Sequence, residues 1–117
     1  MADRDPAHLW DMIEACREIQ QFLAGKSYQD LVTDRMLRLA LERELEIIGG
    51  AANRVSSEFQ ALHPEIPWAR IVAQRNVISH EYGDIKLEWV WRVATERVPE
   101  LITLLEPLIP PAPRDGG

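Results

Sequence analysis

The chain has 117 residues, enough for one domain with one modest core, which excludes a large multi-lobed cofactor-binding enzyme. A formal net charge of −6 excludes a bulk basic surface for non-specific nucleic-acid binding, so any polyanion site must be local. A single cysteine excludes a disulfide framework, and no apolar run reaches the roughly 18–20 residues that cross a bilayer, so we expect a cytoplasmic protein without membrane association.

Helical periodicity runs along nearly the whole chain, without the alternation typical of strands. The first predicted helix carries an apolar stripe and ends at Gly25; the stripe comprises Leu9, Met12, Ile13, Cys16, Ile19 and Leu23. The position of Cys16 in this stripe favours a small core residue over a reactive thiol. After a linker over 26–32, Thr33 is predicted to N-cap the second helix.

The second helix is predicted to run to about Ser57 with an unusually wide apolar arc. Its apolar positions are Leu37, Leu41, Leu45, Ile48, Ala52 and Val55, flanked by Met36, Ala40, Ile47 and Ala51. Such an arc indicates a central helix, or one that also contacts a second subunit. Gly49 and Gly50 lower helix propensity by about 1 kcal/mol each, which indicates either the close approach of another backbone or a kink.

Two further helices complete the predicted fold. Pro67 follows a turn-rich connector over 59–67 and opens a third helix from Trp68 to about Glu81. The fourth helix has an apolar stripe over 87–108, which Pro99 is predicted to kink or to reset by one turn. We therefore predict an all-α protein, an antiparallel four-helix bundle over 1–108, with a frayed Pro- and Gly-rich tail over 109–117.

The segment 66–80 concentrates the groups that carry chemistry. It contains no carboxylate in an otherwise acidic chain, and Arg75 falls near the middle of its apolar arc. A guanidinium in that position is costly unless an anion meets it. Asn76 and His80 stack four residues apart on the flank of the arc, and Ser79 adds a hydroxyl.

Each of these residues also has a purely structural interpretation. Arg75 could pair with one of three acidic residues of the central helix, Glu42, Glu44 or Glu46. His80 alone is typical of a helix C-terminal cap, and Tyr82 alone of an aromatic at the edge of a core. No His–carboxylate relay accompanies Ser79, and the remaining histidines lack ligand spacing, so we expect neither a serine hydrolase nor a metal site.

The run RNVISHEY, which contains Arg75, His80 and Tyr82, closely resembles the HepT-like family of the HEPN superfamily. That family comprises small all-helical ribonuclease toxins encoded beside a minimal nucleotidyltransferase antitoxin. The stretches LEIIGGAANRVSSEF, HPEIPWARI and DIKLEWVW are similar to the family's central helix, connector and fourth helix, so the resemblance spans about 5–108. Family members commonly carry an acidic residue where this chain has Gly50.

The resemblance implies a metal-independent endoribonuclease that acts on RNA rather than DNA, needs no cofactor and forms its site at a homodimer interface. It implies that Arg75 and His80 are the catalytic pair, that Asn76 and Ser79 support them, and that the antitoxin neutralises the enzyme by attaching AMP to Tyr82. The residue types fit this chemistry, since histidine titrates near neutrality and arginine clamps phosphate.

Two other interpretations compete with the enzyme. A non-catalytic HEPN-type helical dimer would bind a nucleotide or the nucleotidyltransferase partner, and the acidic net charge and Gly50 favour it. A purely structural helical adaptor is the third, but it does not explain an arginine at the centre of an apolar arc.

Overall fold

Three long helices form the body of the fold, with the second of them in the middle. The computed structural model describes the backbone of residues 3–80 and 87–110, and the side chains of 3–75 and 87–110. Helices α1 (Asp5–Leu23), α3 (Arg35–Arg54) and α5 (Trp68–His80) account for most of this length. Helix α3 packs against both α1 and α5, which confirms the central position that its wide apolar arc predicted.

The core lies along the predicted apolar stripes. The buried apolar positions of α1 are Leu9, Met12, Ile13, Ala15, Cys16 and Ile19. Helix α1 ends two residues before Gly25, which has a φ of +73° as predicted for the stop. All regular elements within the described ranges are helical, which confirms the predicted all-α fold. None of these helices is long and apolar enough to span a bilayer.

A short helix replaces part of the predicted linker over 26–32. Helix α2 (Tyr28–Thr33) begins with a capping box, in which the Ser27 N–H donates to Asp30 Oδ2 at 2.7 Å and the Asp30 N–H to Ser27 Oγ at 3.3 Å. The predicted N-cap was wrong by one residue: Asp34 caps α3 and accepts from the Leu37 N–H at 3.2 Å. Thr33 instead ends α2, where its hydroxyl donates to the Gln29 carbonyl.

A second short helix, α4 (Ser57–Leu62), covers residues 59–62 of the predicted turn-rich connector. Helix α3 ends at Arg54 rather than Ser57, because Gln60 Nε2 turns back to donate to the carbonyls of Ala52 and Val55, each at 3.1 Å. Ser56 caps α4. Its N–H and hydroxyl also donate to the buried carboxylate of Asp5, at 2.9 and 2.6 Å, which ties the start of α1 to this turn.

The hydrogen-bond pattern of the C-terminal helix changes just before Pro99, near the position where a disturbance was predicted. It consists of α6 (Leu87–Arg92), a π-helical turn (Val93–Arg97), α7 (Val98–Leu105) and a 3₁₀ turn (Glu106–Leu108). Pro99 has no N–H to donate to the carbonyl four residues earlier, and the Val98 N–H bonds five residues back, to the Val93 carbonyl. Of the predicted tail, residues 111–117 lie outside the described part of the chain.

Candidate functional site

The start of α5 is held by an aromatic cluster in the connector. Trp68 Nε1 donates to the His63 carbonyl at 3.0 Å, and the Trp68 ring meets Phe59 edge-on with centroids 6.3 Å apart. The His63 ring lies against Phe59 at 4.5 Å and its Nδ1 is 3.1 Å from Glu65. Because these contacts fix the first turn of α5, they also fix the direction in which the helix carries Arg75.

Helix α5 crosses α3 at Gly49 with almost no space between the two backbones. A Cβ at Gly49 would lie 2.6 Å from the Cβ of Arg75 and 3.2 Å from the carbonyl oxygen of Ile71. Of the two explanations for the Gly49–Gly50 pair, the close approach of another backbone is therefore confirmed at Gly49. Any other residue at this position would push α5, and Arg75 with it, away from α3.

Arg75 has no carboxylate partner among the described residues. Its side chain is half-buried. Of the three acidic residues expected as alternative partners, Glu42 and Glu46 pair with arginines on α3 itself, at 3.9 and 3.5 Å. Glu44 is buried and its Oε2 accepts no hydrogen bond from any described residue. Within the described part of the chain, the guanidinium is therefore not neutralised by an interhelical salt bridge.

The surroundings of Glu44 on α3 disfavour negative charge. Burial raises the pKa of Glu44, and the nearby carboxylate of Glu18 raises it further. Burial, followed by the charge of Glu44, raises the pKa of the Cys16 thiol to about 12. Cys16 is thus a protonated core residue, as its position in the stripe predicted.

A second guanidinium meets Arg75 at this crossing. A Cβ on Gly50 would lie 3.6 Å from Arg54 Nη1 and 4.0 Å from Arg75 Nη1, so the two cations converge over one glycine. Arg54 is not among the site residues predicted from the sequence. The available signal was its spacing of four residues from Gly50, which places both on one face of α3.

The other predicted site residues lie outside the described side chains. Asn76, Ser79 and His80 belong to the last turns of α5, but their side chains are not described, and Tyr82 falls in the undescribed segment 81–86. Over the described ranges, no three His, Cys, Asp or Glu side chains group as a metal site would require. A half-buried Arg75 offers a bidentate donor for a phosphate and charge stabilisation for its transition state.

Comparison of the sequence with known proteins identifies the family of this chain. The family model described as "Ribonuclease HepT-like" matches residues 12–108. The chain is 32% identical over 102 residues to "Putative RNase MJ1380" of Methanocaldococcus jannaschii, covering 86% of this chain and 94% of that relative. It is 33% identical over 94 residues to "Probable ribonuclease HepT" of Thermococcus cleftensis, covering 80% and 86% respectively. No solved structure matches the chain significantly.

Proposed function

Because the chain belongs to the ribonuclease HepT-like family, we propose that it is a metal-independent endoribonuclease and the toxin of a toxin–antitoxin pair. Arg75 and His80 are its catalytic residues, and Asn76 and Ser79 support them. The observation that carries this proposal is the half-buried guanidinium of Arg75, which is held at the α3–α5 crossing and is not paired with any described carboxylate.

The proposed reaction is transfer of the phosphate to the neighbouring 2′-oxygen. The 2′-oxygen forms a bond to phosphorus while the bond from phosphorus to the 5′-oxygen breaks, which leaves a 2′,3′-cyclic phosphate and a 5′-hydroxyl. A base removes the 2′-hydroxyl proton, and an acid protonates the leaving 5′-oxygen. His80 serves one of these roles, and Arg75 stabilises the charge that grows on the phosphate oxygens.

A homodimer completes this mechanism. The motif supplies one imidazole per chain, and the reaction uses an acid and a base. A two-fold axis beside α5 would bring a second copy of His80 to the same phosphate. Mixing wild-type protein with an excess of His80→Ala tests the shared site: a mixed dimer holds one His80 and should lose cleavage, whereas sites confined to one chain would keep the activity of every wild-type chain.

Neutralisation by AMP is the regulatory part of the proposal. A cognate nucleotidyltransferase would transfer AMP from ATP to the hydroxyl of Tyr82, two residues after His80: the tyrosine oxygen bonds to the α-phosphorus, pyrophosphate leaves and the phenol loses its proton. The added phosphate would compete with RNA for the cation of Arg75. Incubation with that enzyme and ATP should increase the mass of the wild-type chain by AMP and abolish cleavage. Unchanged neutralisation of Tyr82→Phe would rule out this route.

The direct test incubates the purified protein with RNA in EDTA beside Arg75→Ala and His80→Ala. Arg70→Ala is the matched control for the arginine, because Arg70 is on the same helix but lines a cleft with Arg97 and Glu100 to which Arg75 does not contribute. His8→Ala on α1 is the control for the imidazole. We expect cleavage in the wild type and both controls, and none in the two site variants.

Other outcomes of this test are equally clear. Equal cleavage by all five proteins would indicate a contaminating nuclease. RNA or nucleotide binding without cleavage by the folded wild type would favour the non-catalytic helical dimer, the interpretation to which the net charge of −6 lends support.

A further inference from the structure

The α3–α5 crossing brings two cations together without a described anion. Arg54 reaches the crossing from the last turn of α3, and Arg75 reaches it from α5. Their Nη1 atoms lie 3.6 and 4.0 Å from one point, the place where a Cβ of Gly50 would be. The ion pairs among the described residues involve other side chains, so neither guanidinium has a described carboxylate within 4.0 Å.

This arrangement is unfavourable unless an anion is bound. Two like charges that both approach Gly50 repel each other, and the half-buried position of Arg75 weakens the screening by water. The chain carries 19 acidic side chains, yet no described carboxylate is placed between the two arginines. Because Arg54 is exposed, a ligand can approach the pair from solvent.

We propose that Arg54 and Arg75 form a two-guanidinium clamp that binds one phosphate of an RNA strand. The inference deepens the proposed function and rests on it for the identity of the ligand as RNA. Its new element is Arg54, a phosphate-binding residue on a different helix from the catalytic motif. Two guanidiniums supply several N–H donors to one phosphate, and this local positive charge allows an acidic protein to hold a polyanion.

Gly50 leaves the space beside the two guanidiniums of the clamp free of any side chain of its own. Among the described residues, a Cβ at this position would meet the flexible ends of Arg54 and Arg75 at ordinary contact distances and no backbone atom of α5. A glutamate there would place its carboxylate between the guanidiniums and neutralise them. The substitution Gly50→Glu therefore blocks the clamp from within, and Gly50→Gln adds the same bulk without the charge.

The test measures binding rather than cleavage. A fluorescent, fully 2′-O-methylated oligoribonucleotide, which cannot be cut, is titrated with the wild-type chain in EDTA at several salt concentrations. We expect Arg54→Gln to weaken binding by about tenfold and to reduce the slope of log affinity against log salt by about 0.7, the loss of one phosphate contact. Gly50→Glu should match it, whereas Gly50→Gln should retain more affinity.

The control and the contrary results separate this inference from the proposed activity. Arg35→Gln removes the same charge from the exposed start of α3 and should change neither affinity nor slope. Wild-type affinity and slope in Arg54→Gln would overturn the clamp, even if the protein cleaves RNA. Dependence of RNA binding on Arg54 in a protein that proves unable to cleave would uphold the clamp and reject the enzyme. Competition by inorganic phosphate or AMP as strong as by RNA would overturn the assignment to an RNA strand.

Discussion

Adjacent alanine substitutions in the middle of α3 should have opposite effects on stability. In a helix interior, Gly→Ala stabilises by about 1 kcal/mol through backbone propensity alone. At Gly50 the new methyl group would meet, among the described residues, two arginine nitrogens at 3.6 and 4.0 Å, so the propensity gain is kept. Gly50→Ala should therefore raise the free energy of unfolding by about 0.5–1 kcal/mol.

Gly49→Ala meets a different environment. Its Cβ would lie 2.6 Å from the Cβ of Arg75 and 3.2 Å from a backbone carbonyl, well inside the roughly 3.5–4.0 Å of a normal carbon contact. Neither neighbour is the end of a flexible side chain, so α5 must retreat by about 1 Å to restore that contact distance. Overpacking of this kind costs about 1–3 kcal/mol, which outweighs the propensity gain and leaves a net loss of about 1–2 kcal/mol.

Equilibrium urea unfolding followed by far-UV ellipticity measures both variants, at one protein concentration because dimerisation would make stability concentration-dependent. The expected difference between the two variants is about 2 kcal/mol. Equal stabilisation by both would refute the close crossing of α3 and α5, and with it the placement of Arg75.

Two further predictions concern buried carboxylates. Burial raises the pKa of Glu44 above its ordinary 4.5, so between pH 4.5 and the raised pKa the folded state binds more protons than the unfolded state, and wild-type stability falls as the pH rises. Glu44→Gln should therefore be about 1–2 kcal/mol more stable than the wild type near neutral pH. A gain that persists well below pH 4.5 would contradict this. Asp5→Ala should lower the free energy of unfolding by about 2 kcal/mol in the same urea titration, because the N–H and hydroxyl of Ser56 lose a buried acceptor. Asp11→Ala, at an exposed position of the same helix, is the control. An equally small effect of both substitutions would refute the stabilising role of the Asp5–Ser56 hydrogen bonds.

Local sequence signals predicted the elements that depend on one helix at a time. The apolar stripe of α1, the stop at Gly25 and the opening of α5 after Pro67 follow from periodicity and capping, and the structure has all three. Helix α2 was also readable, since Ser27 and Asp30 have the spacing of a capping box. It was missed because a six-residue helix has too few apolar positions to show periodicity.

Tertiary contacts determine what the sequence did not reveal. Met36 belongs to the predicted apolar arc but is 81% exposed, because α1 and α5 together do not cover the whole circumference of α3. Glu44 has the opposite outcome, a carboxylate buried on the face towards α1. The partnership of Arg54 with Arg75 depends on which turn of α3 meets α5, and periodicity within either helix carries no information about that register.

Chemical rescue of Arg75→Ala tests the central claim most directly, namely that a guanidinium at the α3–α5 crossing stabilises the phosphate during RNA cleavage. The initial cleavage rate is measured in EDTA with and without millimolar guanidinium, with urea as the uncharged analogue. We predict that Arg75→Ala is inactive, that guanidinium restores part of its rate, and that urea does not. Wild-type cleavage by unaided Arg75→Ala, or equal rescue by urea, would contradict the account.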